Sequence, residues 1–220
     1  MRPMEFGPQS ASKIANPVYE PLWRGERTIV EIVDDSITVH DELGDELAIH
    51  EDLRASLAAM RLAAEIVLDG YLVPAPIRGS EGALVQMAVE SLPSASEMGR
   101  QMLVGTRSSD RDRMMRESEA RRRYAIASES PAAFIAIDLL SIDGQSLLDV
   151  PLLERKRLLE AAIGEDELVR RTMMVRPPVE AWLGQWKALG FSEIAVKDAN
   201  SRYMPGTTSR DWAIALVPRR

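Results

Sequence analysis

The stretch GFSEIAVKDANSRYMPGTTSRDWAIAL, running from Gly190 to Leu216, decides how this chain is read. Residues 192–196 form a short apolar run suited to a strand. Residues 199–209 are polar and carry the Pro205-Gly206 turn pair. Residues 211–217 return as a second strand, on which Ile214 and Leu216 share one face at period two. Within the first strand, Glu193 follows Ser192 by one step, which points it to the opposite face.

Upstream, residues 1–18 read as a loose leader ending at Pro17. Residues 19–23 are a short extended run. The run 27–33 (RTIVEIV) reads as a strand, Asp34-Asp35 as a turn and 36–40 as its return, a hairpin. Leu53, Leu57 and Met60 make a helical stripe over 51–61. Residues 65–73 form a strand with Asp69-Gly70 inside it, where a glycine marks a bulge or a close backbone approach. A short helix is expected over 81–92, closed by Pro93. Residues 97–130 form a highly charged segment, read as a solvated helix or a mobile insert. The apolar run 132–140 is a strand, followed by an Asp143-Gly144 turn. A helix opens near Pro151 and ends before Gly164. Residues 172–175 read as a short strand, and 178–189 as a helix stopped by Gly190. Strand pairs separated by helices in irregular order predict an α+β fold with antiparallel sheets flanked by helices.

At 220 residues the chain can bury one sizeable core. No apolar run is long enough to span a bilayer, and the N-terminus lacks the apolar core of a signal peptide. The absence of cysteine excludes disulfides and thiolate metal sites, so the cytoplasm is the expected compartment. The net charge of −7 argues against a wholly basic nucleic-acid surface. Charge is uneven, however: residues 100–123 hold eight arginines against four acids. Arg121, Arg122 and Arg123 there are candidate phosphate contacts, although such a run is more often a solvated face. Lysines number only four: Lys13, Lys156, Lys187 and Lys197.

The 190–216 stretch resembles the end of the nucleotidyltransferase domain of ATP-dependent DNA ligases, G-[FL]-E-G-[IV]-V-A-K followed by S-x-Y-x-P-G-x-R-S-x-x-W and K-x-K. Phe191, Ile194, Lys197, Ser201, Tyr203, Pro205, Gly206, Ser209, Asp211 and Trp212 fall in register. YEPLWRGER at 19–27 resembles the nucleophile segment E-P-K-W-D-G-x-R through Glu20, Pro21, Trp23, Gly25 and Arg27. Residues 39–47, retaining Gly44, are similar to V-x-L-x-S-R-N-G-x-D-L, and 67–73 to V-L-D-G-E-[LV]-V. AIDLLSIDGQSLLDVP at 136–151 resembles A-F-D-L-L-x-L-D-G-x-S-L-L-x-x-P, and the following ERKRLL continues the likeness. The resemblance covers residues 17–217. It implies a ligase-like adenylation domain over 19–217, with no C-terminal oligonucleotide-binding barrel after it.

In that family a lysine attacks ATP and carries AMP, acidic and basic residues hold the nucleotide and Mg²⁺, an aromatic stacks on the base, and AMP passes to a 5′-phosphorylated DNA end. The matching positions here have lost this chemistry. Leu22 stands at the nucleophile, Arg24 at the aspartate two residues on, and Glu42 at the ribose-contacting arginine. Tyr71 and Ser192 stand at two glutamates, Ile137 at the stacking phenylalanine, and Ile214 and Leu216 at two phosphate-gripping lysines. Lys197 alone keeps its residue type, and its expected role is structural or simply exposed. No lysine is near position 22 in sequence; Lys13 is nine residues upstream. A leucine cannot supply the electron pair that covalent catalysis needs.

Leu22, Ile214 and Leu216 are therefore expected to refill the former cleft as packed core. No residue set here is expected to be catalytically competent or to hold a metal, and no cofactor is expected. The chain is expected to be a non-catalytic accessory or interaction protein with a protein partner of unknown identity, linked to DNA repair and not to a membrane. Two alternatives stand: an active ATP-dependent ligase or nucleotidyltransferase with an unorthodox site around Lys197, using ATP and Mg²⁺, and a nucleic-acid-binding module using the 100–123 arginines. Trp182 and Trp186, at helical i,i+4 spacing, are expected in a core or an interface, and His40 and His50 lack any metal or triad pattern.

Overall fold

A computed structural model describes residues 1–74 and 132–218. The helix expected over 81–92, the charged 97–130 segment and Arg121–Arg123 lie outside the described residues. Two sheets are present. The larger runs β5-β4-β3-β6-β7-β8, with β9 on β7. Its strands are β3 (Glu26–Val33), β4 (Ser36–His40), β5 (Glu46–Leu47), β6 (Glu65–Pro74), β7 (Ala132–Ile142), β8 (Gln145–Ser146) and β9 (Val169–Arg171). The smaller runs β1-β11-β10-β2, from β1 (Glu5–Gly7), β2 (Pro17–Pro21), β10 (Glu193–Asp198) and β11 (Thr208–Leu216). Helices α1 (Glu51–Met60), α2 (Leu152–Ala162) and α3 (Glu180–Ala188) complete the described fold.

The hairpin β3–β4 forms where the sequence reading put it. Asp34 takes the left-handed conformation (φ 50°) that matches a two-residue turn to the twist of its strands. Asp143 and Gly144 do the same between β7 and β8 (φ 46° and 75°). α1 is capped by His50, whose Nδ1 accepts from the Asp52 amide at 3.3 Å. Pairing is antiparallel except at two edges, where β1 runs parallel to β11 and β9 parallel to β7.

Two sequence expectations are corrected. Residues 1–18 are not a loose leader. Met4 is fully buried, its amide donates to the Tyr203 hydroxyl at 2.9 Å, and β1 adds an edge strand to the smaller sheet. Backbone pairing with β11 supplies the stability that local propensity does not show. The short strand expected over 172–175 instead falls at β9, three residues earlier. There the register Phe134↔Val169 buries Val169, and Val175 keeps only an isolated bridge to Tyr19.

Three apolar clusters hold the layers. One lies between the larger sheet and α1, around Val30, Ile66, Leu68, Leu53 and Leu57. A second joins both sheets to α3 through Tyr71, Ile135, Ile137, Ile194, Val196 and Trp186. The third links Met4, Val18 and Trp212 of the smaller sheet to Ile29, Leu140 and Leu152. Asp69-Gly70 sits at a register shift in the β6–β7 pairing, and a Cβ on Gly70 would overlap the Ile135 carbonyl oxygen and the Phe134 ring.

Gly70→Ala is expected to destabilise by about 3 kcal/mol, the upper end of the usual overpacking penalty, because backbone is part of the obstacle. Gly184→Ala, in α3 with nothing near its missing Cβ, is expected to stabilise by about 0.5–1 kcal/mol. Urea unfolding of the two variants reads both.

Candidate functional site

The register of the smaller sheet builds an ionic cluster in the interior. β2 pairs β10 with Glu20 opposite Ala195 and Val18 opposite Lys197; on the other side of β10, Lys197 lies opposite Trp212 of β11. Lys197 is completely buried, and its Nζ lies 2.8 Å from Glu20 Oε2 and 4.1 Å from the Trp212 ring centroid. From α2, Lys156 Nζ reaches Glu20 Oε1 at 2.5 Å. One carboxylate thus sits between two buried ammoniums. Burial pushes the Glu20 carboxyl up, but the two lysines outweigh it and hold it below the usual carboxylate range. Burial drives Lys197 down to about 8, against the upward pull of Glu20.

Two further buried pairs flank this cluster. Arg27 grips Asp69 through Nε–Oδ1 and Nη2–Oδ2, both at 2.5 Å. Tyr203 Oη donates to Asp69 Oδ2 at 2.8 Å, and the Arg27 guanidinium lies 5.0 Å from the Tyr71 ring centroid. Asp69 outweighs the desolvation of Arg27 and raises its pKa, whereas burial, then Asp69, raises that of the Tyr203 hydroxyl. Arg155 forms the second fork, to Asp138, at 2.9 and 2.7 Å, and also donates to the carbonyls of Val150 and Ser201. Trp212 Nε1 donates to Ser201 Oγ at 3.0 Å. Forked arginine–carboxylate geometry fixes orientation as well as energy, so these pairs set the larger sheet, α2 and the 199–209 loop against one another.

The positions singled out in the sequence divide into three groups. Tyr71 and Ile137 are buried in the second apolar cluster with Ile194, Val196 and Ala213. Leu22 and Ile214 are half-buried, outside all three clusters. Leu22, just past the end of β2, forms a row with Glu193 of β10 and Leu216 of β11: the Leu22 amide donates to the Glu193 carbonyl, and Glu193 lies opposite Leu216. Arg24 is exposed and donates to the exposed Ser192 Oγ at 2.7 Å, with Glu193 at 4.0 Å. Glu42 sits in the β4–β5 turn, which Asp41 closes by accepting from the Leu43 and Asp45 amides.

The expected refilling of the cleft by Leu22, Ile214 and Leu216 as packed core is therefore corrected: the first two are half-buried outside the apolar clusters, and the third faces solvent. Leu216 is 74% exposed. Its neighbours Ala215 and Val217 pack into the second cluster, so strand alternation turns Leu216 to the opposite face, and β11 there runs past β1, whose last pairing is Gly7 with Ala213. Glu193, set aside in the sequence reading as facing away, shares its face with Lys197, Ile214 and Leu216.

Sequence reasoning missed the carboxylate that pairs with Lys197 and the second lysine that shares it. Glu20 counted only as a motif match, and Lys156 as remote from position 22; in space Lys156 and Lys197 each pair with one oxygen of Glu20. A signal for Lys156 existed. Leu152, Arg155, Lys156 and Leu159 share the buried face of α2, at spacings of three, four and seven.

A family model described as ATP dependent DNA ligase domain matches residues 12–213. The chain belongs to the ATP-dependent DNA ligase family. This ligase-family domain is 34% identical over 86 residues to a probable DNA ligase of Streptomyces coelicolor, covering 37% of this chain and 17% of the relative. To DNA ligase C1 of Mycolicibacterium smegmatis it is 25% identical over 191 residues, covering 86% of this chain and 48% of the relative. The chain thus spans less than half the length of these relatives. Among solved structures, the ligase domain of LigD from M. tuberculosis superposes with a TM-score of 0.62 at 22% identity, covering 98% of this chain and 59% of that one. The likeness shows a ligase nucleotidyltransferase fold. Among the described residues, no group of three or more carboxylates and histidines is placed to hold a metal, and no helix is long and apolar enough to cross a membrane.

Glu20→Gln is expected to cost about 3–5 kcal/mol, because it strands two buried ammoniums. Lys197→Met leaves the Glu20–Lys156 pair and is expected to be near neutral or stabilising at pH 7. Between the folded pKa of about 8 and the ordinary 10.5, the unfolded chain holds the Lys197 proton more tightly than the folded one. This group's contribution to stability therefore rises across that window and falls away as pH drops through 8. Urea midpoints from pH 7 to 10.5 should show that rise in the parent and not in Lys197→Met.

Proposed function

We propose that this chain is a non-catalytic member of the ligase family, serving as an accessory or interaction module in DNA repair, in a cytoplasmic setting and with a protein partner. The observation that carries this reading is Leu22, an alkyl side chain where the family places the amine that attacks ATP. Nucleophilic catalysis needs a lone pair at that atom, and pKa tuning cannot create one.

Its surroundings support the same reading. The two lysines that folding brings near are both ion-paired to Glu20 in the interior. The two positions where the resemblance expects glutamates hold Tyr71, packed in the core, and Ser192, bonded to Arg24. Ile137, at the base-stacking position, is buried with Ile194 and Val196. This donor set offers neither the hard oxygen ligands that Mg²⁺ requires nor a cationic clamp for a triphosphate. ATP and Mg²⁺ therefore do not fit these residues, and no adenylyl transfer is routed through them.

One observation favours a second reading. Burial depresses the Lys197 pKa to about 8, which makes the unprotonated form that an amine nucleophile requires more accessible than in an ordinary lysine. Its side chain has no exposure, and Glu20 holds its nitrogen.

Incubation with radiolabelled ATP and Mg²⁺, followed by denaturing electrophoresis, is expected to leave the protein unlabelled. A covalent AMP adduct that survives in the parent and disappears in Lys197→Ala would establish the second reading instead. ATP at millimolar concentration is expected to leave the melting temperature unchanged, since only a ligand that binds the folded state shifts it.

A further inference from the structure

Beside position 22, on the side away from Lys197, lies a partly open cavity of about 170 Å³. Three of the chain's four tryptophans line it, Trp23, Trp182 and Trp186, together with Phe191. The cavity contains none of the positions matched to the family's nucleotide chemistry. Its walls are built firmly. Trp23 Nε1 donates to the buried Thr172 Oγ1 at 2.9 Å, and the Trp23 and Phe191 rings meet edge to face at 5.2 Å. Trp186 is 2% exposed, whereas Trp182 is half-buried at the mouth.

Two arginines of β9 sit on its wall, and they differ. Arg171 is satisfied, donating to the Glu160 carbonyl at 2.9 Å and pairing with Glu165 at 3.1 Å. Arg170 has a buried Nε with no hydrogen-bond partner among the described residues. Glu165, which also lines the cavity, and Asp166 feel the Arg170 charge, yet their hydrogen bonds go to other groups: Glu165 to the Arg171 side chain and amide, Asp166 to the amides of Leu168 and Val169 and to Ser56. A buried guanidinium N–H without an acceptor is costly, and an incoming anion would relieve it.

Size and chemistry together select the occupant. The volume lies below the roughly 300 Å³ at which small-molecule pockets begin, so a nucleotide is too large and one ring fits. A single ring gains too little to hold a free metabolite tightly. The same ring is effective as an anchor when the rest of an interface surrounds it, and pockets walled by Trp and Arg are where such anchors dock. We propose that this cavity seats one aromatic side chain of a partner protein, carried beside a carboxylate that pairs with Arg170. This deepens the interaction-module reading by naming its surface, and it rests on that reading only for the existence of a partner.

The test uses the full chain and three capped tripeptides, acetyl-Glu-Phe-Glu-amide, acetyl-Glu-Ala-Glu-amide and acetyl-Lys-Phe-Lys-amide, titrated by calorimetry and by tryptophan emission. The acidic phenylalanine peptide is expected to bind saturably, at least tenfold more tightly than either of the others. Arg170→Met, which keeps the aliphatic stem, should weaken it at least tenfold without lowering the melting temperature by more than a few degrees. Trp182→Ala, at the mouth, should do the same should Arg170→Met fail to fold. Equal binding of the phenylalanine and alanine peptides, no saturable binding at all, or an unchanged affinity in both variants would overturn the proposal. So would phenylacetate binding as tightly as the peptide, which would mark a small-molecule site. None of these outcomes bears on AMP adduct formation, so the two readings fail separately.

Discussion

A single carboxylate held between two ammoniums in the protein interior is the constraint around which the rest of this structure is arranged. Glu20 comes from the smaller sheet, Lys197 from its neighbouring strand and Lys156 from α2, so the cluster ties sheet to helix. Two buried cations against one anion leave an excess positive charge. The Trp212 face under the Lys197 ammonium offsets part of it, while burial first, and Lys156 after it, depress the Lys197 pKa. Such a cluster contributes little net stability compared with an apolar replacement, yet removing its one anion leaves charges that nothing else can neutralise. Its geometry also requires the register that sets Val18, Lys197 and Trp212 side by side.

The two arginine forks extend the same principle outward. Asp69 and Asp138 belong to adjacent strands of the larger sheet, and each is answered by an arginine from a different element. Tyr203 touches both systems, donating to Asp69 while the Arg155 guanidinium lies 5.8 Å from its ring. The polar loop before β11 is thereby pinned into the core, although its composition reads as solvent-exposed. Ile137 and Tyr71 pack into apolar core, and Ser192 accepts a hydrogen bond from Arg24.

The N-terminal residues show how much of a fold can be carried by pairing alone. Met4 to Gly7 have little periodicity and a charged residue among them, yet Met4 is wholly buried and Phe6 packs 5.7 Å from the Trp212 ring. The parallel pairing with β11 spans some two hundred positions of sequence. A strand of three residues has almost no intrinsic preference to display, so no local reading could have placed it. The tryptophans of α3 make the complementary point. Their i,i+4 spacing says that they share a face, and it is silent on whether that face meets core or solvent. In the structure one is core and the other stands at the mouth of a cavity.

The sequence by itself determined the family, the β3–β4 hairpin, the long strands β6 and β7, the three described α-helices and the leucine at position 22. Each of these rests on short-range pattern: period, turn residues, or a motif whose letters are contiguous. Only the tertiary structure decided that Lys156 and Lys197 share Glu20, that Arg27 and Tyr203 converge on Asp69, and that Leu216 faces solvent while Ile137 does not. The physical reason is that burial and charge pairing depend on which distant strands become neighbours. That register is settled by the summed packing of both sheets and leaves no mark on any one segment.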